Sequence, residues 1–468
     1  MRKNTDAPLS GGAAGGSDEG PVMGLERSSG VVPTGRVSQP GNGEELARSV
    51  KPFGIAKRVV WDAYKHVKAN QGAEGIDRQT IEMFEANLKG NLYLIWNRMC
   101  SGSYFPPPVR LVEIPKKNGG MRTLGIPTVS DRIAQTVVKM TIEPELEKLF
   151  HPDSYGYRPN KSALHAVQTT QERCWDYAWA VEFDIQKAFD ELRHDLLLRA
   201  VRKHVKERWA VLYIERWLTA PFVKPDGITV ERNRGVPQGS VVGPVLMNLF
   251  MHFAFDRWMQ TEEPQCPFAR YADDAVVHCQ SKPQAVFMLD AIGIRFGQCG
   301  LKLHPDKSRV VYCRRTGRPH KRNANRQFTF LGFTFRPRVA KSRNGRLFHS
   351  FLPAVSREAV TKMLKTIRSW KLTRQTQASI TELAARYNPI LRGWWNYYGQ
   401  HSKTVLRKFV FDQFDAALAR WVRRKYKGFK RHIGRSFTWI WRVAQKLPGL
   451  FTHWRVYGYA GGRAMGAV

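Results

Sequence analysis

Three aspartates are the residues of this sequence best placed to do chemistry. Asp273 and Asp274 stand side by side in "FARYADDAVVHC" (Phe268 to Cys279), flanked by apolar and β-branched residues. Like charges repel and Asp is a poor strand former, so the pair needs a reason to be there. A hairpin turn is one, because Asp tolerates turn geometry and stays hydrated. A divalent metal is the other, since hard cations take paired carboxylates as oxygen ligands. The third, Asp184, ends the alternating run "AVEFDI". Asp190 precedes "ELRHDLLLRAV", where it reads as a helix N-cap. Asp184 has no such local role. A carboxylate ending one strand and two more on a nearby hairpin can converge on two divalent ions about 3.5–4 Å apart, which activate a hydroxyl nucleophile and neutralise a leaving pyrophosphate.

These groups need a scaffold, and the hydrophobic pattern supplies one. From Leu111 to Val339, short β-branched runs ("AVEFDI", "YADDAVVHC", "RVVYC", "FTFLGFTF") alternate with amphipathic stretches ("LHAVQTTQERCW", "DLLLRAVRKHV", "QAVFMLDAIGIRFGQC"). That mixture predicts an α+β domain with a mainly antiparallel sheet and helices on one face. From Ser356 onward the strand signal ends, and "REAVTKMLKTIRSW", "ASITELAARYNPILRGWWNYYG" and "TVLRKFVFDQFDAALARWVRRKYKGF" read as helices. Residues 1–45 are rich in Gly, Ser and Pro, so burial cannot offset their ordering entropy and a disordered leader is expected.

Charge narrows the function. Lys and Arg total 75 against 39 Asp and Glu, a formal net charge of +36 over 468 residues. Self-repulsion on that scale points to a polyanionic partner. Between Lys403 and Arg435 eleven basic residues stand against two acidic ones, interleaved with aromatic rings, as suits a phosphate backbone. The longest apolar stretch, Val241 to Phe255, is short and broken by Pro244, Asn248 and His252, so no membrane span is expected. The six cysteines form no C-x-x-C pair and the thirteen histidines no H-x-x-x-H cluster, which argues against a zinc site or a disulfide framework. No secretory signal is visible, and a cytoplasmic, reduced, nucleic-acid-associated protein is expected.

Taken in order, the motifs resemble those of the reverse transcriptases encoded by bacterial group II introns. "GAEGIDRQTIEMF" is similar to the family's N-terminal extension of the fingers. "YFPPPVRLVEIPKKNGGMRTLGIPTVSDRIAQ" and "SYGYRPNKSALHAV" resemble its fingers motifs. "FDIQKAFD", "RGVPQGSVVGPVLMNLF", "YADD", "GLKLHPDKS" and "FTFLGFTF" resemble its successive palm motifs, and "LRGWWNYYG" the maturase-specific thumb, or domain X. The resemblance implies a right-hand polymerase: a leader over 1–45, N-terminal extension and fingers over 46–170, a palm with an antiparallel sheet over 171–340, an all-α thumb over 341–435, and a basic tail over 436–468. Fingers and palm together would form the reverse transcriptase domain.

Carried over by position, the resemblance makes Asp184, Asp273 and Asp274 the catalytic, metal-binding carboxylates, with the Ile185 carbonyl a further ligand and two Mg²⁺ the cofactors. Phe189, five residues after Asp184, matches the steric gate that favours deoxynucleotides. Lys116 and Arg122, with Arg110 as a third candidate, match the ligands of the dNTP phosphates. Gln238 would lie along the nascent pair, with Gly239 allowing close backbone approach, and Lys307 would protonate departing pyrophosphate. Arg158 and Lys161 would touch template backbone, Gly332 the primer, and Arg423, Arg424 and Lys425 nucleic acid in the thumb. The implied partners are group II intron RNA, an RNA template with a DNA primer, dNTPs and target DNA, in a protein that assists splicing and copies RNA during intron mobility.

The paired cysteines and histidines of the C-terminal endonuclease found in many relatives are not matched here, so no target-strand cleavage is expected. Other readings stay open: a splicing maturase whose polymerase has lapsed, a domesticated reverse transcriptase with a host role such as phage defence, and an RNA-dependent RNA polymerase. The last is disfavoured, because such enzymes usually place Gly before the Asp pair and lack a bulky gate.

Overall fold

The computed structural model describes residues 51–115, 121–319, 321, 324–342 and 344–457. The expected leader, Lys116 and the last residues of the expected tail lie outside them. Eleven strands are present among the described residues: β1 (Val109–Pro115), β2 (Met121–Ile126), β3 (Trp179–Phe183), β4 (Phe222–Val223), β5 (Thr229–Val230), β6 (Phe268–Tyr271), β7 (Asp274–Cys279), β8 (Arg309–Tyr312), β9 (Phe328–Phe330), β10 (Phe333–Lys341) and β11 (Leu347–Val355).

The central sheet runs β6-β7-β3-β8, with every pair antiparallel. Its middle strand β3 is buried at every position except Glu182, which is why "WAVEF" reads as a nearly unbroken apolar run. One face packs on helices Gly243–Met251 and Lys282–Gln298, where the rings of Phe183, Phe255 and Phe296 lie 5.4–5.9 Å apart. The other face is covered too, by helix Ala163–Asp176 and by a second sheet, β11-β10-β9, over a cluster that includes Ala180, Val276, Phe328, Phe333 and Phe335. The expectation of helices on one face is therefore corrected. Ala180 and Val276 on the second face are as apolar as their neighbours, so that face needs cover as well.

Two expected boundaries also move. A division at 340/341 cuts through the β10–β11 hairpin, whose register runs unbroken from Phe333↔Val355 to Lys341↔Leu347. The helical unit starts instead at Arg357, after the Ser356 hydroxyl caps the Ala359 N–H at 3.1 Å. Its long helix Ile380–Tyr398 opens on a capping box formed by Ser379 and Glu382. Residues 436–457, placed in a separate basic tail by the expected division, pack in the helical unit. Helix Ile433–Lys446 buries Ser436, Ile440 and Ala444, and Trp454 enters the core, donating to Asp415 at 3.0 Å.

Candidate active site

The β3–β7 register decides the site. Phe183 faces Ala275, so Asp184, one residue past β3, lies beside Asp274 at the start of β7. Tyr271 pairs with Asp274, leaving Ala272 and Asp273 as the two central residues of the hairpin turn. The pair does sit at a hairpin turn, and the turn sets it beside Asp184.

That turn is strained and braced. Ala272 has φ +57°, a left-handed conformation that an L residue adopts only when its surroundings impose it. Gly156 packs beneath it so closely that a Cβ there would stand 2.5 Å from the Ala272 nitrogen. From inside, Arg270 donates to the Ala272 carbonyl at 2.9 Å. Its guanidinium is fully buried and forms a two-pronged ion pair with the equally buried Asp256, at 2.6 and 2.5 Å. Further bonds reach Ser154 Oγ at 2.8 Å and Asn248 Oδ1 at 3.3 Å. Asp256 belongs to the π-helical turn His252–Asp256, continuous with helix Gly243–Met251. Neither Arg270 nor Asp256 was singled out from sequence, although a lone Arg inside the apolar strand "FARY" is the signal that could have found them.

The electrostatics follow from crowding. Asp274 is pushed up to about 8, first by packing at the floor of the cleft, which removes part of its hydration although the side chain still meets solvent. The carboxylates of Asp273 and Asp184 are the next causes. Asp273 is raised by burial and then by Asp184, while Arg122 and Lys307 oppose the rise. Lys307 Nζ lies 2.6 Å from Asp184 Oδ2, and that hydrogen bond holds the ammonium above its usual range. Asp184 and Asp274 open on a cleft of about 490 Å³ that Lys307, Phe330 and Gly332 also line.

Among the described residues, no three ligating side chains are gathered around one point as they stand. The donor set nevertheless suits a divalent cation. Mutually repelling hard oxygen ligands sit at a solvent-open cleft, and a lysine ammonium already rests against one of them.

On the nucleotide side, Arg122 Nε donates to Gln238 Oε1 at 2.6 Å, linking β2 to the "VPQGS" loop. The Gly125 N–H donates to Gln238 O at 2.8 Å, and a Cβ on Gly239 would stand 2.3 Å from Gly125 O. The close approach that Gly239 permits in this structure is to the protein's own backbone. The loop is anchored from below by Gln135, whose Oε1 accepts from Ser240 Oγ and Val241 N, both at 2.8 Å. Gln135 is in turn held by buried Asp131. Phe189 lies half-buried against the main core, in the short helix Ala188–Glu191, and its carbonyl accepts from Val236 N at 2.7 Å. Arg110 lies 3.6 Å from Glu74. Ile185 is buried and bridges to Leu303 through bonds of its neighbours, Gln186 N to Lys302 O and His304 N to Asp184 O, which leave its own carbonyl out of the bridge.

Several expected roles meet a different geometry. Asp190 is no N-cap of the following helix; it sits within Ala188–Glu191, and Arg193 holds the N-cap of His194–His204. His194 reaches across to Gly235 O at 2.8 Å, bracing the loop before "VPQGS". Arg158 is nearly buried and turned inward, donating to Glu147 and to the carbonyls of His151 and Ser154. This clamp takes most of its N–H groups away from any template phosphate. Lys161 donates to Pro152 O at 2.8 Å. Gly332 and Leu331, with φ +80° and +51°, form the two-residue turn between β9 and β10, so the turn itself requires the glycine. Lys425 satisfies the Thr376 and Ala378 carbonyls at 2.9 and 2.7 Å, Arg423 is half-buried, and Arg424 is exposed. The "WWNYY" rings divide their work: Trp394 and Trp395 pack on the helical core, while Tyr397 and Tyr398 pack toward the palm, Tyr397 donating to Leu331 O at 2.9 Å.

Comparison with known proteins agrees with this geometry. Residues 114–335 match the family model for reverse transcriptase (RNA-dependent DNA polymerase), and residues 360–439 match that for the group II intron, maturase-specific domain. The chain is 30% identical over 310 residues to Protein YkfC of Escherichia coli (strain K12), covering 58% of this chain and 78% of that protein. It is 31% identical over 214 residues to group II intron-encoded protein LtrA of Lactococcus lactis subsp. cremoris, covering 45% and 35% respectively. It is 28% identical over 198 residues to the putative COX1/OXI3 intron 1 protein of Saccharomyces cerevisiae, covering 42% and 24%. The chain thus spans about a third or less of the last two relatives.

Proposed function

The chain belongs to the group II intron-encoded reverse transcriptase/maturase family, and we propose that it copies RNA into DNA at the Asp184–Asp273–Asp274 cleft while binding intron RNA to assist splicing. The observation that supports this reading is that Asp184, just past β3, and Asp274, at the start of the adjacent β7, line one open cleft, with Asp273 next to them in the turn. Bound at these carboxylates, two Mg²⁺ would supply Lewis-acid activation of the primer 3′-hydroxyl and neutralise charge on the leaving pyrophosphate. The rest belongs to the chain. Arg122 exchanges its Gln238 partner for triphosphate oxygens, with a planar fork suited to them. Lys307 leaves Asp184 once that carboxylate has another cation, and its Nζ then hands a proton to the departing pyrophosphate. Phe189 presents its ring to the sugar and crowds a 2′-hydroxyl. The large positive charge serves the RNA backbone, and the cytoplasm is the compartment in which intron RNA would be met. Among the described residues no helix is long and apolar enough to cross a membrane.

Primer extension tests this. The protein should extend oligo(dT) on poly(rA) with dTTP and require Mg²⁺. Intron-RNA binding with no extension would leave the lapsed maturase as the reading, and equal use of UTP would favour an RNA polymerase. Phe189→Ala should raise ribonucleotide use relative to dNTP use by about 10-fold or more, the size expected for relieving one steric clash in a pocket. An unchanged ratio removes Phe189 from the gate.

The raised carboxyl pKa values also set a pH dependence. A carboxyl whose folded pKa lies above its unfolded value favours the folded state fully below the unfolded pKa. That contribution is lost as pH rises through the folded value, here about 8 for Asp274. The metal-free protein therefore loses stability from the acid range up to about pH 8. Mg²⁺ must displace the proton to bind, so its stabilising effect grows over the same interval. Thermal melts with EDTA or Mg²⁺ should show a larger Mg²⁺-induced rise in Tm at pH 8 than at pH 6. Equal rises would contradict the assignment.

A further inference from the structure

Glu182 lies two residues before Asp184, on the same face of β3, and is the one interruption in an otherwise buried strand. Its carboxylate is turned to two neighbours. Oε2 accepts from Arg309 Nε at 2.6 Å, and Arg309 is also its cross-strand partner on β8. Oε1 accepts from the main-chain N–H of Thr329 at 3.0 Å. Thr329 is the middle residue of β9, the strand that leads into the Leu331–Gly332 turn at the rim of the catalytic cleft. Its N–H is given to Glu182, away from the β10 ladder. The central sheet and the β9–β10 hairpin form separate sheets, joined by apolar packing, by Asn325 bonding to Tyr312 N and Val310 O ahead of β9, and by Thr316 bonding to His349 on β11. Those bonds lie outside β9, whereas the Glu182 bond reaches β9 itself from the strand that ends at Asp184 and so sets their local register.

We propose that Glu182 is a positioning residue: by tying β9 to β3 it sets the rim turn, and the primer end lying on it, at the correct reach from Asp184 and Asp274. This rests on the polymerase reading above, in which the attacking hydroxyl must approach the α-phosphate to about 3–3.5 Å, and a misplacement of about 1 Å costs on the order of 100-fold in rate. Glu182 touches no reacting atom in this scheme.

The test compares three variants by primer extension and by hydrogen exchange of the Phe328–Phe330 amides. Glu182→Gln is isosteric and keeps an oxygen for Thr329, so kcat should stay within about 5-fold of the parent and the amides should remain protected. Glu182→Asp keeps the charge but is one methylene shorter, and Glu182→Ala removes the carboxylate. Both should lower kcat by about 100-fold, with KM for dNTP nearly unchanged and exchange at Thr329 faster by about 10-fold or more. A role in charge alone predicts the reverse order, Asp above Gln, and that result would overturn the proposal. Unchanged exchange in Glu182→Asp, which conserves charge and polarity and so guards against a failure of the alanine variant to fold, would overturn it equally. If the unmodified protein extends no primer, the polymerase reading fails instead, and hydrogen exchange still decides whether the tie between strands exists.

Discussion

Replacing Asp274 with alanine should lower cDNA synthesis by about 1,000-fold or more while leaving RNA affinity within about 2-fold. Metal-assisted charge stabilisation is worth several kcal/mol, and each 1.36 kcal/mol is tenfold in rate. The Asp274 carboxyl is pushed up to about 8, first by loss of hydration and then by the Asp273 and Asp184 carboxylates, and a cation would relieve that repulsion. RNA affinity has no reason to fall, because removing a carboxylate does not weaken a phosphate contact. The expected loss of polymerisation is the same for Asp273→Ala, whose side chain shares the turn. Primer extension and filter binding on one preparation check both halves. Equal loss of synthesis and binding would mean that the substitution disrupts the fold, and the catalytic assignment would fall.

The second large effect lies beneath the turn. Arg270→Met leaves Asp256 fully buried without its partner, and breaking a buried ion pair from one side costs about 3–5 kcal/mol. It also releases the Ala272 carbonyl, so the strained φ loses one of its two restraints. We expect Tm to fall by several degrees and polymerisation to fall further than the residual folded fraction explains. The double substitution Arg270→Met with Asp256→Leu, which leaves no orphaned charge, should recover much of the stability but little of the activity. Thermal melts and primer extension on the three proteins separate the two effects. A single variant that melts like the parent would show that the pair braces nothing.

These two predictions mark the limits of what a sequence discloses. The clustered aspartates were legible because their surroundings are wrong for strands: an adjacent carboxylate pair in "YADD" and a terminal one in "AVEFDI" stand out against apolar alternation. The helical C-terminal unit was legible for a similar reason, since the two periodicities differ and the switch after Val355 is sharp. Arg270 was passed over because nothing local shows whether an arginine points to water or to a buried aspartate 14 residues away. Arg158 misled in the opposite direction. A basic residue in a nucleic-acid-binding protein invites a phosphate, and only the structure shows that Glu147, 11 residues earlier, already engages its fork.

By itself, then, the chain of residue types determined the chemistry available, the class of partner and the succession of strands and helices, because side-chain type and periodicity are local properties. Which carboxylates share a cleft, which arginines are spent inside, and how β9 is held against β3 were decided only by tertiary structure. Those outcomes depend on contacts such as Glu182 to Thr329, 147 residues apart in sequence, whose geometry no local pattern encodes.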